Sequence, residues 1–440
     1  MLTPRLIESA LESCEACPRQ LFLAYSGGVD SHVLLHLCAQ DQQLRDRLTA
    51  VHVHHGLQEQ AEAWAVHAEN TARELGVKFL LCRVDARPKS GQSPEAAARD
   101  ARYAALKSVM GPGDVLLVAQ HQDDQLETVL LQLLRGSGLL GLAGMPKSLP
   151  FGQGALLRPF LQVRKQLIDD YAVANRLCWV EDASNHESIY DRNFLRQQLL
   201  PLLKQRWPSC DQTVARAAGH CAEAHALLAD IAAESFAAVY RESDNTLSIE
   251  RLNTFDLARR ELIIRHWFRQ MGLKMPAQTF LAQVFDSVIG AGVNRDPVLC
   301  GQGRQIRRYR GRLYCLKNDA HADALQDRDW PADAESLTLG NSRVLLRVRS
   351  MAGIPEAMWR HAKVVVKFRC GGESIALPGR QGHHHLKNLF QEAGIPPWER
   401  AALPLIYLDG KLAAIADRWI SAEFYREAQD ACIRFVWHHS

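Results

Sequence analysis

The sequence predicts an α/β protein: a doubly wound parallel sheet, followed by a helical domain and a small α+β C-terminal domain. Three observations predict it. Short apolar runs alternate with helical periodicity from about residue 20 to about 135. A glycine-rich turn, Ser26-Gly27-Gly28-Val29-Asp30-Ser31, joins the first apolar run to the first helical stretch. After Pro208 that alternation gives way to Ala-rich helical sequence, and short strand-like runs return only near the C-terminus.

In chain order, the candidate strands of the sheet are Leu21–Tyr25, Leu48–His54, Phe79–Val84 and Val115–Ala119, with helical patterns at Glu59–Leu75 and Pro94–Val109 between them. Gly136 to Gly154 breaks the pattern and is expected to be a mobile loop. Residues 164–206 return to helical periodicity. A mostly helical stretch then ends in a basic hairpin, Arg304 to Arg312. The Ala-, Asp- and Pro-containing stretch Asn318–Glu335 reads as a linker. The last part mixes strands at Val344–Val348, Val364–Phe368 and Leu405–Leu408 with a helix near Leu386–Ala393, and Asp409-Gly410 is a hairpin turn. The expected domains are therefore 1–210, 211–317 and 336–440, with 318–335 as linker.

Composition bounds the function. A chain of 440 residues exceeds one compact core, and 47% hydrophobic with 23% charged residues is ordinary for a soluble globular protein. The net charge of +3 means that a polyanionic partner must be met by local basic patches. Eleven scattered cysteines argue against a disulfide framework, and the N-terminus has no apolar core of a leader. A cytoplasmic protein with no membrane association is expected. The oligomeric state is open, with a homodimer among the options.

The loop Ser26–Ser31 carries the most chemistry. Its glycines allow a tight turn, and the amides at the start of the following helix face an anion. Ser26 and Ser31 add hydroxyl donors, and Val29 lies between the glycines and Asp30. The loop has no lysine, so it is not the GxxxxGK[ST] type. It reads as a pyrophosphate cradle, of the kind used when ATP is split at the α-phosphate. An ordinary Gly/Ser turn is the plain alternative. A second constellation, His121-Gln122-Asp123-Asp124-Gln125-Leu126-Glu127-Thr128, follows the strand ending at Ala119. Carboxylates beside a phosphate cradle serve either to hold Mg²⁺ or to grip and deprotonate an amine, with an acidic helix N-terminus that complements the dipole as the plain alternative. A third stripe is Glu95, Arg99 and Arg102. A fourth runs through Arg135-Gly136-Ser137-Gly138, Arg158-Pro159, Glu181-Asp182-Ala183-Ser184-Asn185 and Tyr190 to Arg196.

In this order and spacing the pieces resemble the tRNA(Ile)-lysidine synthetase family of PP-loop ATP pyrophosphatases, a fold of the adenine nucleotide α hydrolase type. The resemblance is dense over about 20–200 and reappears at about 369–420, where Leu386 to Arg400 looks like the family's last domain. It implies that ATP adenylates the C2 oxygen of the wobble cytidine of tRNA(Ile) with a CAU anticodon. The amine of free L-lysine then displaces AMP. It further implies ATP contacts from Ser26, Gly27, Gly28, Val29, Asp30, Ser31 and, more weakly, His54, with His52 and His55 nearby. Asp30 is the candidate Mg²⁺ contact. Asp124 and Glu127 are the expected lysine-binding groups, and Asp30, Asp123, Asp124, Glu127, Arg192 and Arg196 the catalytic set. Which carboxylate takes the proton stays open, as does the division of roles between the two arginines. Arg99, Arg102, Arg135, Arg307, Arg308, Arg380 and Lys387 are candidate tRNA contacts; a solvated basic face is the simpler explanation of any one run.

Two signals are set aside: Cys14 with Cys17, which lacks a second pair for zinc, and His383-His384-His385, which lacks matching ligands. Competing functions are a PP-loop tRNA thiolase, which needs a reactive cysteine that neither Cys38 nor Cys82 is placed to supply, and a non-catalytic nucleotide- or tRNA-binding module, which gives no reason for the acidic cluster.

Overall fold

A computed structural model describes residues 2–12, 18–56, 60–88, 94–181, 191–292, 295–301, 303–318, 326–340 and 343–439. Cys14, Cys17, Asp182 to Asn185 and Tyr190 lie outside the described residues, as does the side chain of Glu95. The chain divides into two compact units, Met1–Asp230 and Ile231–Ser440.

The first unit runs α1 (Arg5–Glu12), β1 (Leu21–Ala24), α2 (Val29–Gln40), α3 (Gln42–Asp46), β2 (Leu48–His54), α4 (Ala61–Glu74), β3 (Lys78–Arg83), α5 (Pro94–Ser108), β4 (Val115–Leu117), α6 (Gln122–Leu134), α7 (Leu139–Leu142), β5 (Ser148–Phe151), β6 (Gly154–Leu157) and α8 (Lys165–Ala174). Its sheet has the order β3-β2-β1-β4-β6-β5. All neighbours are parallel except the antiparallel edge strand β5. Both faces are covered. Leu21, Leu23, Leu34 and Phe160 pack in a core on one side, and Val51, Leu106, Leu116 and Leu156 in a core on the other. That explains why the central strands read as unbroken apolar runs rather than alternating ones. From β1 the chain moves outward through β2 and β3, then returns to the other side of β1 as β4. The order therefore reverses between β1 and β4, and such a switch point leaves a crevice beyond the carboxyl ends of the strands. The loop Ser26–Ser31 follows β1, and the segment opening α6 follows β4, so both motifs are delivered to this crevice.

The stretch Gly136–Gly154, expected as a mobile loop, instead holds α7 and the hairpin β5–β6. Gly154 there permits a close backbone approach. A Cβ on Gly154 would lie 2.0 Å from the Asp114 carbonyl oxygen, which accepts from the Ala155 amide at 3.0 Å. Beyond α8 come α9 (Asp191–Phe194), a π-helical turn at Leu195–Leu199, α10 (Leu200–Arg206) and the long α11 (Cys210–Val239), which crosses the division between the units.

In the second unit, β7 (Tyr240–Arg241), β8 (Thr246–Ser248), α12 (Ile249–Leu252), α13 (Leu257–Gln270), α14 (Gln278–Gln283), β9 (Val298–Gly301), β10 (Arg304–Tyr309) and β11 (Arg312–Lys317) follow. Helices dominate, but an antiparallel sheet, β7-β8-β11-β10-β9, accompanies them, and β10–β11 is the basic hairpin. The C-terminal part contains β12 (Arg328–Asp329), β13 (Ser336–Thr338), β14 (Arg343–Pro355), α15 (Glu356–His361), β15 (Val364–Lys367), β16 (Ser374–Ala376), β17 (His383–His385), α16 (Leu386–Glu392), α17 (Pro397–Arg400), β18 (Leu405–Leu408), β19 (Lys411–Ile415), β20 (Trp419–Ile420) and β21 (Arg426–His439). Two antiparallel sheets, β12-β15-β18-β19-β20 and β13-β14-β21, enclose one core. Asp409 (φ 46°) and Gly410 (φ 80°) make the β18–β19 turn in the left-handed conformation expected of Asp-Gly. The linker reading fails for residues 326–335. Arg328–Asp329 pairs with β15, and Trp330 is buried against Trp359 and Phe435. Its neighbours' polar composition hid that anchor. Among the described residues, no helix is long and apolar enough to cross a membrane.

The Gly154 contact yields a test. Gly154→Ala should destabilise the first unit by about 1–3 kcal/mol in urea unfolding, the usual range for overpacking. Gly138→Ala, with open space around the added methyl, should stay within about 0.5 kcal/mol.

Candidate active site

The loop after β1 is held by its own side chains. Ser31 Oγ donates to the Gly28 carbonyl at 2.9 Å, accepts from the Ser26 amide at 3.2 Å and lies 3.1 Å from Ser26 Oγ. Gly27 takes φ +88°, a conformation that side chains oppose, and its carbonyl accepts from the Val180 amide at 3.0 Å. Gly28 caps α2 without a side-chain bond, so the first-turn amides are available to an anion. Asp30 sits in that first turn. One oxygen meets Lys165 Nζ at 2.5 Å, and the other lies 3.7 Å from His121 Nε2.

His121 caps α6. Its amide donates to Asp124 Oδ2 at 3.0 Å, and its Nε2 is 3.5 Å from the same oxygen, so a single buried imidazole links the two loops. Glu127, one turn further, is fully buried. Two guanidinium groups answer its charge: Arg192 Nε at 2.8 Å and Arg196 Nε at 2.7 Å. Arg196 also reaches Asp124 Oδ1 at 3.0 Å, and Arg192 reaches Thr128 Oγ1 at 3.3 Å. Asp123 faces the other way, paired with Lys204, while its Oδ1 is buried without a hydrogen-bond partner. Asp30, Asp124 and Glu127 are thus offset by Lys165, Arg192 and Arg196, which is how three acids coexist in one crevice.

The electrostatics follow from these contacts. Burial alone would raise the Asp30 pKa, but the nearby His121 imidazole and the ammonium of Lys165 hold it down at about 2. Burial would lower His121, yet the carboxylates of Asp30 and Asp124, 3.7 and 3.5 Å from its Nε2, outweigh it and raise the pKa above the usual imidazole value.

Several family models match the chain: a PP-loop domain over residues 4–203, a TilS substrate binding domain over 247–314 and a TilS substrate C-terminal domain over 364–437. The tRNA(Ile)-lysidine synthase of Methylococcus capsulatus is 41% identical over 406 residues, covering 91% of this chain and 92% of the relative. That of Alkalilimnicola ehrlichii is 44% identical over 404 residues, covering 91% and 90%. The Photobacterium profundum tRNA(Ile)-lysidine synthase is 40% identical over 410 residues, covering 93% and 94%. The chain belongs to the tRNA(Ile)-lysidine synthase family. As a member of the PP-loop ATP-using group, it uses ATP.

In this member of the lysidine synthase family, the residues read from the sequence fall into three groups. Ser26 to Ser31, Asp124, Glu127, Arg192 and Arg196 converge in the crevice, joined by the contacts above. Asp123 borders it, turned toward Lys204. The remaining candidates lie elsewhere or are engaged with protein groups. His54 ends β2 and pairs with Glu62 at 3.4 Å, while His52 bonds the Tyr25 carbonyl at 2.9 Å. On α5, Arg102 reaches His55 at 3.3 Å and Arg99 lies over the Tyr103 ring. Arg135, at the end of α6, is 3.9 Å from Asp191. Arg307 contacts Gln305, Asp296 and the Trp398 ring, and Arg308 donates to the carbonyls of Ile289 and Gly292. Arg380 pairs with Glu392 at 2.9 Å, and Lys387 is exposed on α16. Arg158, read only as part of a motif, is buried and tied to Gln120 and the Pro146 carbonyl.

Two cations were missed, Lys165 and Lys204. Their sequence neighbourhoods, Arg164-Lys165-Gln166 and Lys204-Gln205-Arg206, read as ordinary basic helix positions, and only the fold brings them to the acids. Cys38 is fully buried, its thiol pKa pushed up by that burial, which leaves it unsuited to sulfur transfer. Among the described residues, no group of three or more His, Cys, Asp or Glu side chains forms a metal cage.

Two outcomes are expected. The His121 imidazole should titrate by NMR with a midpoint above the ordinary value of about 6.5, and Asp30→Asn should lower that midpoint. The sign for stability follows: the imidazolium contribution is complete below pH ~6.5 and is lost as pH rises through the raised native value. Glu127→Ala should cost about 2 kcal/mol in urea unfolding, less than the ~3–5 of an entirely buried pair, because both arginines retain solvent contact.

Proposed function

We propose that the chain ligates free lysine to C2 of the wobble cytidine of tRNA(Ile) with a CAU anticodon, through an adenylated tRNA intermediate, giving lysidine, AMP and pyrophosphate. Lysidine formation on tRNA(Ile) with ATP is the activity of its family. The assignment of individual residues rests on one observation: a lysine-free phosphate loop and a cation-balanced carboxylate cluster share the crevice between β1 and β4.

The chemistry suits that pairing. The C2 oxygen of cytosine is a poor leaving group. Its attack on the α-phosphorus forms a C2–O–AMP linkage and breaks the bond to the bridging oxygen, and pyrophosphate departs with the electron pair. The amides of Gly27, Val29 and Ser31 stabilise that departing charge, in a loop held by the Ser26 and Ser31 hydroxyls and by Gly28. A lysine amine has a reference pKa of about 10.4, so its ammonium must lose one proton before the nitrogen attacks C2 and expels AMP. Asp124 is the best-placed acceptor, because it retains some solvent contact while Glu127 is sealed beneath two guanidiniums. Glu127 then orients Arg192 and Arg196 toward phosphate or the lysine carboxylate. Single-stranded loop bases can be splayed into such a crevice.

Mg²⁺ accompanies ATP in this proposal. It takes one or two carboxylates and completes its shell with phosphate and water oxygens, so Asp30 alone can hold it. It would supply charge neutralisation on the phosphates. Exposed Arg380 and Lys387 are the candidates in the second unit for seating the tRNA backbone, whereas Arg308 is committed to backbone carbonyls.

Purified protein with ATP-Mg²⁺, lysine and tRNA(Ile) should release AMP and pyrophosphate in equal amounts and form lysidine by nucleoside mass spectrometry. Pyrophosphate release independent of tRNA would count against the reading. Asp124→Asn should lower the transfer rate about 10²-fold or more without unfolding the chain. The double variant Arg380→Ala with Lys387→Ala should raise the tRNA KM and flatten its salt dependence by about two units of log-log slope, one per lost phosphate contact.

A further inference from the structure

The phosphate loop contains no lysine, yet a lysine stands against it. Lys165 is the first residue of α8, and its Nζ lies 2.5 Å from Asp30 Oδ1 and 2.9 Å from Asp169 Oδ1. The two helices run side by side in the same direction. Asp30 in the first turn of α2 meets Lys165 in the first turn of α8, and six residues on in each, His36 Nδ1 meets the Tyr171 hydroxyl at 2.9 Å. The amino ends of both helices therefore open onto the same crevice.

This placement runs against the ordinary preference. A helix N-terminus favours carboxylates, whereas the cap and first residue of α8 are Arg164 and Lys165, and its first turn holds no acid. The pairing with Asp169 four residues on has the weaker orientation of the two, with the cation nearer the N-terminus, so local helix stability does not explain the choice. Arg164 is turned toward Asp211 at 3.5 Å, outside this contact, and only Lys165 faces the loop. An ammonium has three donors. Asp30 and Asp169 take two, which leaves one for a phosphate oxygen.

We propose that Lys165 supplies the cation that the loop itself lacks, contacting the β,γ-phosphates of ATP and stabilising the pyrophosphate as it leaves. The inference rests on the proposed AMP-forming reaction. In that step the bond between the α-phosphorus and the α,β-bridging oxygen breaks, and the negative charge gained by pyrophosphate is met by the Lys165 ammonium. No proton need move. Its partnership with Asp30 places the ammonium where ATP is to dock.

The test compares full-length wild-type protein with Lys165→Met, Lys165→Arg and Asp169→Asn. It measures single-turnover pyrophosphate formation on tRNA(Ile), inhibition by added inorganic pyrophosphate, and the KM for lysine. Lys165→Met should slow pyrophosphate formation at least tenfold and weaken pyrophosphate inhibition at least tenfold, with the lysine KM within twofold of wild type. Lys165→Arg should recover part of both losses, and Asp169→Asn should change neither by more than about twofold. If Lys165→Met forms pyrophosphate and is inhibited by it as wild type is, the inference is wrong. It is equally wrong if Asp169→Asn reproduces the losses, since that marks a helix-packing role. Should Lys165→Met fail to fold, Lys165→Gln gives the same comparison. A wild-type protein that forms no AMP from ATP and tRNA would overturn the proposed reaction instead, whatever the variants do.

Discussion

The catalytic unit depends on one buried carboxylate. Glu127 has no solvent contact, and an isolated charge there would be untenable; it persists because Arg192 and Arg196 bring two guanidiniums to it from a segment some seventy positions later in the chain. That contact ties α6 to the α9–α10 region. It also fixes where Arg196 can reach Asp124, and so where the rim of the crevice lies. Remove the carboxylate and two cations lose their anchor at the rim of the crevice.

A second constraint is topological. The reversal of strand order between β1 and β4 sets two loops side by side that are about ninety residues apart in sequence. His121 then bridges Asp30 and Asp124, one from each loop. Charge in the crevice is matched locally rather than by the chain as a whole, whose net +3 is too small to steer a polyanion. Asp30, Asp124 and Glu127 are set against Lys165, Arg192 and Arg196 within the crevice itself.

Much of this was legible in the sequence where local signals are strong. Leu48–His54 matches the observed strand, and Pro94–Ser108 stops one residue short of the expected helix end, because uninterrupted apolar runs and 3.6-residue periodicity survive tertiary packing. The positions of Ser26–Ser31 after β1 and of Asp124 with Glu127 in the helix after β4 were readable because each motif is short, contiguous and follows an apolar run. Lys165 and Lys204 were not, since their partners are set by the sheet and helix packing alone. The hairpin within Gly136–Gly154 was hidden because glycine marks both flexibility and close approach, and only the Asp114 carbonyl beside Gly154 tells which applies. Trp330 was lost among polar neighbours, and Arg308 looked free until the fold gave it two carbonyls.

The central claim is that the cytidine C2 oxygen attacks the α-phosphorus of ATP held in the loop at β1, and later leaves with AMP when the amine arrives. Placing ¹⁸O at C2 of the wobble cytidine of tRNA(Ile), then analysing the products by mass spectrometry after one turnover with lysine, tests this most directly. The account predicts one ¹⁸O in AMP and none in pyrophosphate or lysidine. Label appearing in pyrophosphate, in ADP or in water would contradict it.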